Sequence, residues 1–260
     1  MSTLSWFSFP QSRPGPAQYG FRILLFSAAF SLLPMSLAAC QQPGGDPEMI
    51  PLPPPQLDGS VSVEAALDQR RSVRSYTGEP LSLEALGQLL WAAQGVTEPQ
   101  EEPREGFQWQ WMGGYRTAPS AGALYPLELY AVVGDVSGLD PGLYRYLPRE
   151  HALRLEMEGD LRETLWDAAL RQTAIREAPV TLVFSAVVAR TEAKYGERAE
   201  RYVHMEVGAA SENVYLQCET LGLGTVFMGA FQDDAVKDRM ELPQEERAFG
   251  IMPVGVKGGG

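Results

Sequence analysis

Residues 180–189 have the sequence VTLVFSAVVA, which is nearly all apolar and rich in β-branched side chains. Such a run predicts a strand that is covered on both faces, so we expect it at the centre of a sheet. Residues 202–221 follow with apolar side chains at helical spacing, and Gly222 stands where a helix would stop. The middle of the fold is therefore predicted to be a buried strand followed by the longest helix of the chain.

Shorter helices and strands are predicted on both sides of this centre. A helix that begins after Ser82 is expected to end at Gly95 in a left-handed conformation. Residues 97–116 are acidic and aromatic without a regular period, which predicts a long functional loop. Three further helices are expected at residues 61–69, 160–170 and 233–240, and strands at residues 127–133, 142–147, 153–157, 225–227 and 249–256.

The composition limits the class of protein. The chain has 260 residues, 45% of them hydrophobic, which is enough for one substantial core and too few for two ordinary enzyme domains. Its net charge of −12 disfavours nucleic acid as a partner, because phosphate backbones attract basic surfaces. His151 and His204 are the only histidines and stand in no paired Cys/His spacing, so we predict no metal site. Cys218, the only cysteine besides Cys40, is predicted to be a buried core residue.

The N-terminus resembles an export signal. Arg13 and Arg22 are the only charges before an apolar run at residues 23–33, which is far shorter than the roughly 20 residues that span a bilayer. Leu-Ala-Ala-Cys at residues 37–40 resembles the lipobox of bacterial lipoproteins, in which the cysteine receives a lipid. An ordinary secretory signal that happens to precede a cysteine is the alternative. We expect an exported, membrane-anchored lipoprotein, on the periplasmic or cell-surface side, that is lipidated at Cys40.

Three regions follow from this pattern: a signal peptide at residues 1–39, a tether at residues 40–59, and a folded domain at residues 60–260. The tether is predicted because residues 41–57 contain six prolines and two glycines, a composition that stays extended and forms neither a helix nor a strand ladder. Loss of residues 1–39 would remove two arginines and no acid, which leaves a net charge of −14. The folded domain is therefore strongly acidic.

Three segments of this domain have compositions suited to a ligand. Residues 70–74, RRSVR, offer three guanidiniums and a hydroxyl as donors for a phosphate dianion, although a solvated basic turn is the alternative. Residues 118–126, APSAGALYP, combine small residues that admit a flat ligand with the hydroxyl of Ser120, and a plain tight loop is the alternative. Residues 222–231, GLGTVFMGAF, carry glycines on both sides of a predicted short strand, which alone is weak support for a ligand contact.

In this order and at these separations, the three segments closely resemble the nitroreductase superfamily over residues 60–255. The resemblance implies an α+β fold with a central mixed β-sheet flanked by helices, and an intertwined homodimer with one FMN in each of two interface clefts. Residues 70–74 would bind the FMN phosphate, ribityl chain and pyrimidine edge, and residues 120–122 would line the flavin from the partner subunit. Residues 229–230 would bring backbone amides to flavin N5 and O4, where a donor stabilises the charge of the reduced ring. The FMN-binding residues that the resemblance implies are Arg70, Arg71, Ser72, Arg74, Ser120, Ala121, Gly122, Gly229 and Ala230.

Within this superfamily, the sequence KYGER at residues 194–198, together with residues 120–130 and 222–231, resembles the SagB-type branch. Members of that branch oxidise azoline rings of ribosomal peptides to thiazoles or oxazoles. Lys194 and Tyr195 match the family's Lys-Tyr pair and would be the catalytic residues, since a cation beside a phenol stabilises the phenolate that removes a proton. Ala209 and Glu212 stand where branch members commonly carry His and Gln, which leaves the substrate class open.

Three functions stay open at this point. The first is an FMN-dependent oxidoreductase of SagB type that takes hydride from a small-molecule or peptide substrate. The second is an NAD(P)H-dependent nitro or quinone reductase, which export disfavours because reduced nicotinamides are not expected outside the cytoplasm. The third is a non-catalytic flavin-binding lipoprotein that uses the fold as an interaction module. Fold resemblance alone does not choose among them.

Cys40→Ser is expected to leave an unprocessed or soluble precursor, because the thiol that would carry the lipid is gone. Membrane fractionation and the intact mass of wild type and variant measure this. A variant that stays in the membrane fraction with the wild-type mass would contradict lipidation at Cys40.

Overall fold

The computed structural model describes residues 49–99 and 114–259. The described residues belong to one compact unit. The predicted signal peptide and Cys40 lie outside the described residues. Within the described ranges, no helix has both the length and the apolar character needed to cross a membrane.

Helices form where the sequence combines apolar periodicity with a capping residue. The Ser62 and Ser82 hydroxyls accept hydrogen bonds from the amides of Ala65 and Ala85, at 3.2 and 3.1 Å, and so satisfy free donors at the starts of the first two helices. The helices of the described residues are α1 (Val63–Gln69), α2 (Leu83–Gln94), α3 (Arg162–Ala168), α4 (Thr173–Glu177), α5 (Val188–Tyr195), α6 (Ala199–Thr220) and α7 (Asp233–Arg239). The longest is α6, as predicted, and Gly222 follows it with φ 70°, in the left-handed region expected of a helix stop.

Strands form one large sheet and two small ones. The strands are β1 (Met49–Pro51), β2 (Leu81–Ser82), β3 (Val96–Pro99), β4 (Gly114–Arg116), β5 (Leu127–Val133), β6 (Val136–Ser137), β7 (Gly142–Leu147), β8 (Ala152–Glu158), β9 (Val180–Ala186), β10 (Leu223–Thr225) and β11 (Arg247–Val256). The large sheet has the order β1-β8-β7-β5-β9-β11-β10, and β2 with β6 and β3 with β4 form the small sheets.

The predicted buried strand lies inside the large sheet. All seven residues of β9 are buried, and antiparallel β5 and β11 flank it, with Tyr130 opposite Val183. The neighbouring strands of this sheet are antiparallel, and a bridge between Ser72 and Thr225 adds a parallel pairing beside β10. The sheet is therefore mixed, and it brings the residue 70–74 segment to its edge.

Separate hydrophobic cores cover the two faces of the sheet, because successive side chains of a strand point to opposite faces. Leu182 and Phe184 of β9 belong to the core that includes residues of α2 and α6. Val183 belongs to the other core, to which α3, α4 and α7 contribute. Helices therefore flank the sheet on both sides, which gives the predicted α+β architecture.

The folded domain begins earlier than residue 60. Met49–Pro51 pairs with β8, with Ile50 opposite Leu153, and the Leu52 amide donates to the His151 carbonyl at 3.0 Å. The prediction that residues 41–57 form no strand ladder is thus wrong for residues 49–51. The prolines are tolerated because β1 is an edge strand, in which one side of the backbone needs no ladder partner.

Gly95 ends α2 without the predicted left-handed conformation. Its φ of −64° and ψ of 148° are open to any residue, so that prediction is wrong. A Cβ at this position would clash with the side chain of Trp91 and would lie 2.7 Å from the Trp91 carbonyl oxygen. Glycine is needed here for space, not for backbone handedness.

Cys218 is confirmed as a buried, unpaired core residue with 1% exposure. Burial in apolar surroundings raises the pKa of its thiol, because the thiolate would lose hydration. The thiol is therefore an unsuitable nucleophile.

Candidate functional site

The candidate site is organised along α6, through Glu206 and Tyr215. Both side chains are buried, with 3% and 9% exposure. At about 3.6 residues and 1.5 Å rise per residue, their spacing puts them on opposite sides of the helix and about 14 Å apart along its axis. Glu206 contacts the segment at residues 118–126, and Tyr215 contacts the other two segments that the sequence singles out.

Tyr215 joins residues 70–74 to residues 222–231. Its hydroxyl accepts a hydrogen bond from the Phe227 amide at 2.7 Å and lies 3.2 Å from the Ser72 hydroxyl. The Arg70 guanidinium lies 5.1 Å from the centre of the Tyr215 ring, within the range of a cation–π contact. The Val73 amide also donates to the Thr225 carbonyl at 2.8 Å. Two of the three predicted segments therefore meet within one chain.

The arginines of this segment lie at the surface. Arg71 and Arg74 are exposed and Arg70 is partly buried. Arg71 donates to the carbonyls of Asp68 and Arg70, at 2.9 and 2.7 Å, and Arg74 makes a long contact of 3.5 Å with the Ser72 carbonyl. Arg70 comes within 4.0 Å of a Glu212 oxygen, which is a loose ion pair. Guanidiniums bind backbone carbonyls more weakly than they bind carboxylates or phosphates. The arginines at this edge of the sheet can therefore still donate hydrogen bonds to an anion.

Gly229 and Ala230 lie in an exposed connection between the Met228–Ile251 bridge and α7. Gln172 holds this connection, since its side-chain amide donates to the Ala230 carbonyl at 2.9 Å. Among the described residues, a Cβ at Gly229 would meet only a Phe227 ring carbon within 4 Å, at 3.8 Å. A ligand therefore has open access to this backbone.

The Ser120 loop, residues 118–126, contacts the other side of α6. The Ser120 hydroxyl accepts from the Tyr125 amide at 2.8 Å and donates to a Glu206 oxygen at 2.5 Å. Ala121 begins a single 3-10 turn at Ala121–Ala123, and Gly122 within it has φ 65°. Ala123 and Tyr125 also have positive φ, a conformation that non-glycine residues hold only where surrounding contacts enforce it. The loop is thus shaped by its contacts with Glu206.

Lys194 and Tyr195 lie against this loop in the same chain. A Cβ at Gly122 would stand 2.8 Å from the Tyr195 hydroxyl and 3.0 Å from Lys194 Nζ. The ammonium lies 5.4 Å from the centre of the Tyr195 ring, and Tyr202 packs edge-on against that ring at 4.9 Å. The structure therefore brings the predicted catalytic pair to residues 120–122, and only glycine leaves room for both groups.

Glu206 is a feature of the site that the sequence analysis does not single out. Burial raises the pKa of Glu206 to about 7, and the Ser120 hydrogen bond with nearby Arg116 and Arg190 only partly opposes that rise. A signal for it exists, because Val203, Glu206 and Ala210 share one helix face by their three- and four-residue spacing. An acid on an apolar face is a candidate for a perturbed carboxyl.

Residues 49–99 and 114–259 contain no group of three His, Cys, Asp or Glu side chains that is placed to hold a metal ion. Cys40 and residues 100–113 of the predicted functional loop lie outside the described residues, although β3 and β4 fix both ends of that segment.

Comparison with known proteins identifies relatives of this chain. The sequence profile of the nitroreductase family matches residues 67–256. A nitroreductase-like protein from Methanocaldococcus jannaschii is 42% identical over 197 residues, which cover 76% of this chain and 92% of the relative. The trifolitoxin-processing protein TfxB of Rhizobium leguminosarum bv. trifolii is 28% identical over 192 residues, or 72% of this chain and 49% of that protein.

Solved structures agree with the predicted fold. A crystal structure of a nitroreductase homologue from Ralstonia eutropha superimposes with a TM-score of 0.68 and 31% identity, over 82% of this chain and 90% of the homologue. A chain of the Escherichia coli microcin synthetase McbBCD complex has a TM-score of 0.58 at 21% identity, over 79% of this chain and 77% of its own, which shows a likeness of fold alone. The predicted nitroreductase-like α+β fold is confirmed.

Glu206→Gln is expected to flatten the pH dependence of stability. Since folding raises the pKa of Glu206 from 4.5 to about 7, its contribution to the free energy of unfolding is fully present below about pH 4.5 and is lost as the pH rises through about 7. Across that interval wild type should lose about 3 kcal/mol relative to the variant. Urea unfolding at a series of pH values measures the difference.

Glu212→Gln is the matched control, because Glu212 lies on the same helix with a side chain that is 46% exposed. It should keep the wild-type pH dependence. If the free energy of unfolding depends on pH in the same way in wild type and in Glu206→Gln, the assignment of Glu206 as a neutral buried acid is wrong.

Proposed function

The chain belongs to the nitroreductase family, and from that premise we propose that it is an FMN-dependent oxidoreductase that takes hydride from an organic substrate. When bound, FMN would supply the hydride-accepting ring, and the chain would supply orientation and charge. The family membership supports the oxidoreductase class, and the Lys194–Tyr195 contact with Gly122 supports the finer assignment to a SagB-type dehydrogenase.

The residues present fit FMN. The arginines of residues 70–74 and the Ser72 hydroxyl offer donors at the sheet edge, which suits a phosphate and a hydroxylated chain. The open backbone at Gly229 and Ala230 suits a flat ring edge that needs amide donors. Tyr215 ties these two groups to one helix, so their relative position is set before a ligand binds.

The observation that carries the proposal is the position of Tyr195 and Lys194 beside Gly122. The hydroxyl and the ammonium converge on the loop whose flanking residues would line the flavin, so a substrate stacked there would meet both groups. In such a site Tyr195 would remove a proton from a carbon acid while hydride leaves, and Lys194 would stabilise the phenolate. TfxB, to which the chain is 28% identical over about half of that protein, is named for toxin processing, which favours an organic substrate that is itself modified.

A homodimer is part of the proposal. Glu206 and Tyr215 hold their segments on opposite sides of α6, about 14 Å apart along its axis, which supports a cleft completed by a second chain. Val63 and Leu67 of α1 and Met205 of α6 are each more than half exposed, with 63%, 54% and 62% exposure. Large apolar side chains in such positions favour a partner surface.

Export completes the proposal. The lipobox-like sequence at residues 37–40 supports a lipid anchor at Cys40, outside the described residues, that would hold the folded domain on the periplasmic or cell-surface side of a membrane. The substrate would then be met outside the cytoplasm. Reduced nicotinamides are not expected there, which favours a substrate-derived hydride over the NAD(P)H route.

Replacing both Arg70 and Arg74 by Ala is expected to abolish the yellow FMN absorbance of the purified protein. Each lost charge-assisted bond contributes about 1.5 to 3 kcal/mol, which is about tenfold to 150-fold in affinity per arginine. Flavin titration by fluorescence quenching measures the loss, with far-ultraviolet circular dichroism to confirm folding. The matched control replaces Arg149 and Arg154, which lie in the β7–β8 turn and in β8, toward the sheet edge opposite β10. Equal affinity in the two double variants would remove the FMN assignment.

Tyr195→Phe is expected to slow substrate-driven flavin reduction by about 10²- to 10⁴-fold, the usual weight of general acid–base catalysis, while FMN binding persists. Lys194→Met should slow it by removing the cation beside the phenol. Stopped-flow measurement of flavin bleaching with an azoline-type donor and with NADPH tests both variants.

Tyr202→Phe is the control, since it removes a hydroxyl from the ring that packs on Tyr195 and leaves the Gly122 contact unchanged. Reduction by NADPH at near wild-type rates in all variants would favour a nitro or quinone reductase, because hydride transfer from nicotinamide needs no base. If neither donor bleaches wild-type flavin, the non-catalytic flavin-binding function becomes the better proposal.

A further inference from the structure

Glu206 is a buried carboxyl directly behind Ser120, and the proposed reaction gives it no role. We propose that Glu206 is a proton-linked positioning residue that determines whether the Ser120 hydroxyl donates its hydrogen to the protein or to the bound cofactor. The inference rests on the proposed function, because the cofactor that Ser120 would meet is FMN.

The hydrogen bonds of Ser120 carry the argument. A hydroxyl has one hydrogen to donate and two lone pairs that accept. One lone pair accepts from the Tyr125 amide at 2.8 Å, and the second contact is Glu206, at 2.5 Å from the hydroxyl oxygen. When Glu206 is a carboxylate, it can only accept, so the Ser120 hydrogen must point to Glu206.

Protonation of Glu206 reverses this bond. A neutral acid that carries its proton on Oε2 can donate this hydrogen to the second lone pair of Ser120, which releases the Ser120 hydrogen. Ser120 is partly exposed in the loop that ends against Tyr195 and Lys194, so the released hydrogen can turn outward. One proton on a buried acid thereby changes the donors offered at the surface of the loop.

The surroundings of Glu206 fit a carboxyl that exchanges a proton. Its side chain is 3% exposed, and its second oxygen, Oε1, has no hydrogen-bond partner within residues 49–99 and 114–259. An anion with an unfilled buried oxygen is costly, whereas a neutral acid needs fewer partners. Burial accordingly raises the pKa of Glu206 to about 7, where both forms are accessible near neutral pH.

The charged groups that face Glu206 come from two neighbouring elements, and each is already paired. Arg116 of β4 donates to Gln94 at 2.8 Å and lies over the Tyr125 ring. Arg190 of α5 binds Glu128 of β5 at 2.5 Å and donates to the Tyr125 carbonyl at 3.1 Å. Both arginines lower the pKa of Glu206, but among the described residues neither donates to its Oε1, so neither fixes it as an anion.

Proton uptake at Glu206 should therefore accompany reduction of the bound cofactor. Hydride brings two electrons and one proton to the cofactor and adds one negative charge. That charge favours an outward Ser120 donor, and a Glu206 carboxylate takes the corresponding proton from solvent. The hydride comes from the organic substrate of the proposed function, so electrons and charge balance.

Infrared difference spectroscopy tests the protonation itself and does not depend on FMN. In the purified wild-type chain, the carbonyl band of a neutral carboxylic acid should disappear as the pH rises through about 7. Glu206→Gln should lack this band and Glu212→Gln should keep it. Ser120→Ala should move the transition to higher pH, because the hydrogen bond that favours the carboxylate is lost. A band unaffected by Glu206→Gln would overturn the proposal.

Redox potentiometry tests the coupling. The midpoint potential of bound FMN should fall more steeply with pH above neutrality in wild type than in Glu206→Gln, by about 30 mV per pH unit, which corresponds to one proton per two electrons. Ser120→Ala should behave like Glu206→Gln although its carboxyl still titrates. If the midpoint potential of bound FMN falls with pH at the same rate in wild type and in Glu206→Gln, the coupling alone is overturned. Failure of wild type to bind FMN would overturn the proposed function and the coupling with it.

Discussion

The packing of α6 is the constraint on which the rest of the site depends. The helix buries Val203, Val207 and Val214 in the core that lies against the central sheet. Because a packed helix of this length is a rigid rod, the positions of Glu206 and Tyr215 along it set the distance between the Ser120 loop and the arginine segment. A helix displaced by one turn would lose the Ser120 and Phe227 contacts together.

A network of buried charges fixes the position of α5 relative to the central sheet and the Ser120 loop. Glu128 of β5 binds Arg190 of α5 at 2.5 Å and Arg145 of β7 at 2.8 Å, and Arg145 also binds Glu246 at 3.2 Å. Arg190 donates as well to the Tyr125 carbonyl, so one guanidinium joins the sheet, the Ser120 loop and the helix that carries Lys194. Removing one member of such a network leaves an uncompensated buried charge, which makes the geometry resistant to drift.

Local periodicity and family resemblance predict the parts of the fold that depend on short stretches of sequence. The buried strand, the helix that contains Tyr215, and its stop at Gly222 are local patterns, and they are confirmed. The strand predicted over residues 180–189 ends at Ala186, because residues 188–189 begin α5. The reason for Gly95 was missed because it depends on the side chain of Trp91 one turn away. The pairing of residues 49–51 was missed because a proline-rich composition does not reveal an edge strand that completes a sheet.

The roles assigned to the site residues by resemblance are a separate matter. The structure brings Gly122 to Lys194 and Tyr195, and Ser72 to Tyr215, but whether these residues bind FMN or act on a substrate stays a prediction. Its three- and four-residue spacing from Val203 and Ala210 marks Glu206 as an acid on an apolar helix face, but this spacing does not show what the acid contacts. Only the packing of Ser120 against it reveals that contact.

The small sheet of β3 and β4 has a consequence for how this fold can diversify. Its ladder pairs Pro99 with Gly114 and Val96 with Arg116, and the Arg116 amide donates to the Tyr125 hydroxyl at 3.3 Å. Residues 100–113 thus leave and re-enter the domain through one clamped pair of strands beside the site. Closing a segment between fixed ends costs little more as it lengthens, about 0.6 kcal/mol for each doubling. Descendants of this chain can therefore vary the length and composition of that segment, while the frame around Ser120 and Tyr195 is inherited unchanged.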